Sequence, residues 1–67
     1  MTDAEVRRYF GCFVAVQLVD GGTFRGQLVS GDSLNVPYAI KQLGPNEQRI
    51  ALPEASGILA IHAVDDA

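Results

Sequence analysis

Residues 11–36 hold an alternating apolar pattern that is interrupted once by turn residues, and this pattern restricts the chain to a β-rich fold. Apolar positions that recur every second residue lie on one face of a strand. Between the two alternating runs, residues 20–22 read Asp-Gly-Gly, which is typical of a hairpin turn. The alternating positions are Val14, Val16 and Leu18 in the first arm and Phe24, Gly26 and Leu28 in the second. The stretch therefore predicts a β-hairpin.

The glycine within the second arm, Gly26, predicts a departure from a flat strand. Glycine inside a strand usually marks a sharp bend, a bulge or a close approach of another backbone. A strand bent in this way is typical of a small barrel. Arg25 and Gln27 alternate with the apolar positions, so we expect both side chains to face solvent.

The segments on either side of the hairpin predict a short helix and three further strands. Thr2 and Glu5 have capping-box spacing, and the residues that follow form an apolar stripe of Val6, Tyr9 and Phe10. Strands are predicted at residues 34–43, 47–52 and 58–64. In the first of these, one face would carry Leu34, Val36, Tyr38 and Ile40; in the second, Ile50 and Leu52 would point inward and Arg49 outward.

The whole chain is expected to form one domain, with the helix in residues 1–10, the strands in 11–64 and a frayed acidic tail in 65–67. A chain of 67 residues buries only about 60% of its unfolded surface, so we expect added stabilisation from a disulfide, a metal or a partner subunit. Cys12 is the single cysteine and His62 the single histidine. Association between subunits is therefore the expected route.

Charge and motif content exclude several classes of function. The chain has 8 acidic and 5 basic residues, and the resulting net charge of −3 opposes non-specific binding to phosphate backbones. A few bases bound in a pore by stacking and amide hydrogen bonds remain compatible with it. Without an apolar leader or a long apolar run, we expect no membrane contact and a cytoplasmic location. Without a nucleophile–base pattern or a phosphate-binding glycine loop, we expect no catalytic residue, no metal and no cofactor.

Residues 11–28 read as G-x-x-V-x-V-x-L-x-D-G-x-x-F-x-G-x-L, and the loop that follows ends in Leu-Asn. This pattern resembles the first motif of the Sm and Sm-like (LSm) protein family. The residues that match it are Gly11, Val14, Val16, Leu18, Asp20, Gly21, Phe24, Gly26, Leu28 and Asn35. The loop is one residue short of the usual pattern, because Asp32 stands three residues before Asn35.

The resemblance implies a mostly β fold in which a short N-terminal helix precedes a strongly bent five-stranded antiparallel barrel of the SH3-like (Sm-like) kind. It also implies a homo-oligomeric ring, in which the fourth strand of one subunit pairs with the fifth strand of the next. Such pairing would cover the open strand edges of a small sheet. Pro53 lies close to where this seam would run.

Members of the family hold uridine-like bases at the inner rim of the ring with two loops, so the resemblance implies single-stranded RNA as a ligand. By position, the first loop gives Ser33, Leu34 and Asn35, and the second gives Ser56 and Gly57. The Asn35 amide matches the family residue and offers both a donor and an acceptor to a base edge. Ser56 stands where an arginine is usual, which removes a cation that stacks on bases and contacts phosphate.

Each of these residues also has an interpretation without a ligand. The side chains of Asn35 and Asp32 could cap their loop by bonding to nearby backbone. Cys12 is expected to be a small buried apolar group, Tyr38 to belong to the core, and His62 to lie on a surface or interface. 

Two functions therefore stay open: an RNA-binding ring, or an oligomeric scaffold or protein-interaction module that has lost the RNA site. Ser33, Ser56 and the acidic balance favour the scaffold. A monomeric SH3-like barrel that serves as a piece of a larger assembly is a third interpretation.

Overall fold

A computed structural model of the protein describes residues 1–42, 44–45 and 47–64, and it shows a mostly β chain. One α-helix, α1 (Asp3–Arg7), precedes the strands. The strands are β1 (Phe13–Leu18), β2 (Thr23–Ser30), β3 (Tyr38–Gln42), β4 (Gln48–Leu52) and β5 (Ile58–Ala63). They form one antiparallel five-stranded sheet in the order β4-β3-β2-β1-β5. The predicted end of the third strand at Leu43 and the predicted tail lie outside the described residues.

The start of α1 follows the predicted capping box. The Thr2 hydroxyl accepts a hydrogen bond from the Glu5 backbone N–H at 3.2 Å, and the Glu5 carboxylate accepts one from the Thr2 N–H at 3.0 Å. Val6 is fully buried, and Tyr9 and Phe10 pack against the core as the apolar stripe predicts. The α-helix ends at Arg7, earlier than predicted, because the next turns close through shorter i to i−3 bonds such as Tyr9 N–H to the Val6 carbonyl.

The hairpin of β1 and β2 confirms the alternating pattern. Val14 lies opposite Gly26 and Val16 opposite Phe24 in the ladder. In the turn, the Asp20 carboxylate accepts a hydrogen bond from the Gly22 N–H at 2.9 Å. Of the two side chains expected in solvent, that of Arg25 is exposed. Gln27 is half-buried, and its Nε2 donates a hydrogen bond to the Gly11 carbonyl at 3.0 Å.

Gly26 marks a close approach between β2 and β3, which is one of the three outcomes that a glycine within a strand predicts. Its φ of +155° is one that other residues rarely adopt. A Cβ atom there would lie 2.7 Å from the Ile40 Cγ2 and 2.7 Å from the Lys41 carbonyl oxygen. The missing side chain therefore lets β3 approach this point of β2 closely.

The third strand begins at Tyr38, so the prediction that it begins at Leu34 was wrong. Tyr38 and Ile40 are buried on one face as expected, but Leu34 is 40% exposed. Residues 32–34 instead form a 3₁₀ turn, closed by a 2.9 Å bond from the Leu34 N–H to the Gly31 carbonyl. Pro37 has no N–H to donate to a ladder, which sets the start of β3 just after it.

A bulge in β5 explains how Ile58 and Ile61 are both buried although they are three residues apart. In the ladder with β1, Gln17 lies opposite Ala60 and Leu18 opposite Ile58, so the register shifts between the two pairs. Leu59 is therefore the extra residue on β5, and it is 57% exposed.

The sheet is open, and it curls around one core. Within the described residues no ladder joins β4 to β5, so the hydrogen-bonded closure that a barrel implies is not found. In a flat sheet of five strands these edges would be about 19 Å apart. Residues 53–57, which include a 3₁₀ turn, span at most about 17 Å. The edges therefore lie closer together than in a flat sheet.

The residues at both ends of this connection, Leu52 and Ile58, belong to the same buried cluster. The cluster comprises Val6, Val14, Val16, Leu18, Leu28, Tyr38, Ile40, Leu52, Ile58 and Ile61. Every strand and the helix thus contribute to one core. In the part of the chain that the structure describes, no helix has the length and apolar content of a membrane span.

Candidate functional site

The first candidate loop connects β2 to β3 (residues 31–37, the β2–β3 loop), and Ser33, Leu34 and Asn35 are all exposed on it. Asn35 has φ +59° and ψ +36°, the left-handed conformation that asparagine tolerates better than most residues. Its backbone N–H donates to the Asp32 carbonyl at 3.1 Å. Its carboxamide makes no hydrogen bond with any described residue. The backbone therefore accounts for asparagine here, while the side chain stays available to a ligand.

Backbone hydrogen bonds and the close packing at Gly31 fix the conformation of this loop. The sequence is also compatible with a cap made by the side chains of Asp32 and Asn35. Among the described residues, neither of these two side chains bonds to the backbone of the 3₁₀ turn of residues 32–34; the Ser30 hydroxyl accepts a bond from the Asp32 N–H at 3.4 Å. Gly31 is buried, and a Cβ atom there would lie 2.5 Å from the Val36 carbonyl oxygen and 2.8 Å from that of Tyr38. Gly31 thus lets the loop fold tightly against the start of β3.

Arg49 of β4 is a residue that sequence reasoning did not connect to this loop. Its Nη1 donates a hydrogen bond to the Ser33 hydroxyl at 3.3 Å, and its side chain is exposed. The ladder places Arg49 opposite Lys41, whose Nζ lies 3.1 Å from the Glu47 carboxylate. Alternation with Ile50 predicts that Arg49 points outward, but sequence spacing gives no signal that it reaches Ser33.

The second candidate loop connects β4 to β5 (residues 53–57, the β4–β5 loop) and contains Ser56 and Gly57 in a 3₁₀ turn. The side chain of Ser56 is exposed and Gly57 is half-buried. The Gly57 carbonyl accepts a 3.1 Å bond from the Val19 N–H, and a Cβ atom on Gly57 would lie 2.9 Å from the Pro53 ring. Packing against Pro53 therefore explains this glycine without any ligand.

An open cleft of about 500 Å³ lies beside the β4–β5 loop. It is lined by Asp3, Pro37, Tyr38, Glu54, Ala55 and Ser56. Of the predicted site residues, only Ser56 lines it, whereas Ser33, Leu34 and Asn35 do not. The two loops thus meet through Pro37, the last residue of the β2–β3 loop, and the predicted residues do not form one continuous pocket.

The charge of this cleft is set by Asp3 and Glu54. The Tyr38 hydroxyl donates to one Asp3 oxygen, and the Arg7 Nε donates to the other at 2.8 Å. The bond from Tyr38, followed by that from Arg7, lowers the pKa of Asp3. Burial, followed by the contact with Asp3, raises the pKa of Tyr38. At neutral pH the ionised Asp3 carboxylate is paired with Arg7 and lies beside the protonated Tyr38 phenol. The described residues that line the cleft include two acidic side chains and no cation, a lining that disfavours a phosphate group.

Other side chains with reactive potential lie apart. Cys12 is exposed, so the expectation of a buried apolar group was wrong: it precedes β1, and its own N–H and carbonyl are bound to the Tyr9 carbonyl and the Leu28 N–H. His62 is exposed on β5 as expected, and Tyr38 is buried in the core as expected. Among residues 1–42, 44–45 and 47–64, no three His, Cys, Asp or Glu side chains are grouped as metal ligands.

Among known proteins, no family model, no curated protein and no solved structure matches the chain.

Proposed function

We propose that this protein is an Sm-like subunit that forms a homo-oligomeric ring and binds short single-stranded RNA at its pore-side loops. The observation that carries the proposal is the Asn35 carboxamide, which is exposed and unbonded to any described residue at the end of the Sm-like motif. An amide with a free donor and a free acceptor suits recognition of a base edge. Ser33 and Leu34 are exposed beside it, and Leu34 offers apolar surface to a base.

Ring formation is supported by the two free edges of the sheet. Among the described residues, β4 and β5 each have a ladder partner on one side only, so each presents backbone N–H and C=O groups without a ladder partner on the other. Open edges of this kind pair readily with another chain. Pairing β4 of one copy with β5 of the next uses two different surfaces, so it repeats head to tail and closes into a ring if the rotation allows.

A second candidate is the same ring used as a scaffold for proteins without RNA. The cleft at Ser56 favours it, because Asp3 and Glu54 line the position where the family has a cation. A net charge of −3 in each subunit adds to the repulsion of phosphate. In this case the curled sheet is retained for assembly, and the loops contact a protein partner.

Fluorescence anisotropy with oligo-U and oligo-A, on protein whose mass is measured by light scattering, tests the proposal. The sharpest variant is Asn35→Gly, since it removes the carboxamide and keeps the left-handed backbone, whereas Asn35→Ala adds strain of about 1 kcal/mol. We expect Asn35→Gly to weaken binding about tenfold or more, as the loss of a bidentate base contact does. Gln17→Ala, which removes an exposed carboxamide from β1, is the matched control.

The outcomes separate the candidates. Binding that Asn35→Gly leaves unchanged would show that the β2–β3 loop is not the site. An oligomer that binds neither oligonucleotide would establish the scaffold, and a folded monomer at micromolar concentration would contradict the ring itself.

A further inference from the structure

The β2–β3 loop has no basic residue of its own, yet a cation contacts it from another strand. The loop contains one charged side chain, Asp32, which is exposed and negative. RNA that presents a base to Asn35 must bring its phosphates close to this loop. Phosphate contacts supply much of the affinity of nucleic-acid complexes, so a positive group here would strengthen the binding of a strand. The guanidinium of Arg49, 3.3 Å from the Ser33 hydroxyl, is in position to provide it.

Two other cations, Arg7 and Lys41, are already bound to carboxylates. Arg7 pairs with Asp3 at 2.8 Å, and its guanidinium lies over the Phe10 ring. Lys41 pairs with Glu47 at 3.1 Å. Arg49 has no ion pair with any residue that the structure describes, and its hydrogen bond goes to a neutral hydroxyl.

The position of Arg49 on β4 directs its side chain along the outer face of the sheet. Its neighbour Ile50 packs on the core, so alternation points Arg49 away from it. A guanidinium has five N–H donors in a planar fork that matches phosphate oxygens, and Ser33 uses one of them. Ser33 is two residues from Asn35, a Cα separation of at most about 7 Å. A base contact and a phosphate contact could therefore involve the same nucleotide or its neighbour.

We infer that Arg49 binds the phosphate backbone of RNA whose base is held by Asn35, with Ser33 orienting the guanidinium. This role rests on the proposed function and deepens it. Phosphate contacts carry no sequence information, whereas base-edge contacts do. Arg49 thus sets the affinity and its dependence on salt, and Asn35 sets the preference among bases.

Titration of Arg49→Gln at several salt concentrations, with oligo-U and oligo-A, tests this division of roles. For each subunit that the oligonucleotide contacts, we expect the slope of log Kobs against log salt to fall by about 0.7, which is about a fivefold weaker affinity at 0.1 M salt. Both oligonucleotides should lose affinity equally. The matched control is Arg25→Gln, an exposed arginine on β2 with the same change of charge, which should keep the wild-type slope.

Arg49→Lys is measured in parallel, because Arg49 lies on the strand proposed to form the ring seam. Lysine keeps the charge and loses the fork, so we expect an unchanged slope and about a threefold or greater loss of affinity. Affinities are compared only for variants whose oligomeric mass, measured by light scattering, equals that of the wild-type ring. An Arg49→Lys variant that binds RNA as tightly as the wild type would refute a contact in which the planar guanidinium binds phosphate oxygens through more than one N–H.

Failure of this inference is distinct from failure of the proposed function. If Asn35→Gly weakens binding while Arg49→Gln behaves like the wild type, RNA binding stands and the role of Arg49 is refuted. The role is also refuted if Arg25→Gln and Arg49→Gln lose affinity equally, because the loss then comes from the change in the net charge of the protein and not from a contact made by Arg49. If the wild-type ring binds no oligonucleotide, the proposed RNA function fails and this inference fails with it.

Discussion

At the scale of single residues, Gly26 is the position where the sheet depends most directly on the absence of a side chain. We predict that Gly26→Ala destabilises the protein by about 2–4 kcal/mol, because the new methyl group would overlap both the Ile40 side chain and the Lys41 carbonyl. Urea unfolding followed by circular dichroism measures the loss.

Gly44→Ala is the control for this prediction. Gly44 has a φ of +147°, close to that of Gly26, but no described atom lies within 4 Å of where its Cβ would be. We expect Gly44→Ala to cost only the backbone strain, about 1–3 kcal/mol, and less than Gly26→Ala, which adds the overlap with β3 to the same strain. Equal losses in the two variants would mean that backbone conformation, and not the contact with β3, explains Gly26.

Sequence reasoning at this scale succeeded where a residue's role depends on its own chemistry. Glycine in a strand predicted a bend, a bulge or a close approach at Gly26, of which the structure shows the close approach, and alternation predicted that Tyr38 is buried. It failed where the outcome depends on which surface the chain leaves uncovered, as for the exposed Cys12. The contact between Arg49 and Ser33 joins residues sixteen apart in sequence, and no local pattern encodes it.

At the scale of elements, the attachment of α1 to the sheet has an electrostatic part that depends on pH. Tyr38 and Arg7 lower the pKa of Asp3, and hydrogen bonds from Thr2 lower the pKa of Glu5. The folded protein therefore binds fewer protons than the unfolded chain below about pH 4. The stabilisation is present above that pH and is lost as the pH falls through the lowered pKa values.

We predict that Asp3→Asn lowers the urea midpoint at neutral pH and flattens its decline in acid, because the variant has lost the Asp3 share of this proton linkage. Midpoints measured from about pH 7 to pH 2.5 give the two slopes. Tyr38→Phe should flatten the decline as well. Of the two hydrogen bonds to Asp3, it removes the one that lowers the Asp3 pKa more. A Tyr38→Phe variant with the wild-type slope would contradict the role given to this hydroxyl.

The order of the helix and the five strands could be predicted from the sequence, while the end of α1, the start of β3 and the bulge in β5 could not. The alternation of Leu34, Val36 and Tyr38 predicts one continuous strand, but bonds from the backbone of residues 34–36 back to Gly31 and Asp32 close a 3₁₀ turn first. In β5, the three-residue spacing of Ile58 and Ile61 is read correctly only once the bulge at Leu59 is known. In both places hydrogen bonding between backbone segments overrides side-chain periodicity.

At the scale of the whole molecule, hydrophobic period predicted five strands but not which of them would lie at the edges. Edge position depends on long-range pairing, and within residues 1–42, 44–45 and 47–64 it leaves β4 and β5 each with one side that has no ladder partner. The free side of β5 is identified by its hydrogen bonds. The Val64 N–H donates to the Phe13 carbonyl at 2.9 Å, so in this antiparallel ladder His62 also faces β1 and the intervening Ala63 N–H points away from the sheet.

We predict that Ala63→Pro dissociates the proposed ring into folded monomers, because it removes an outward N–H and places a ring on the edge without breaking a bond to β1. Light scattering measures the mass, and circular dichroism verifies that the β structure is retained. Ala63→Thr keeps the N–H at the same exposed position, so its mass should match that of the wild type. If Ala63→Pro keeps the full oligomeric mass, β5 does not form the seam and assembly must use another surface. If it dissociates the ring and also abolishes binding of oligo-U, the RNA site requires neighbouring subunits around a pore.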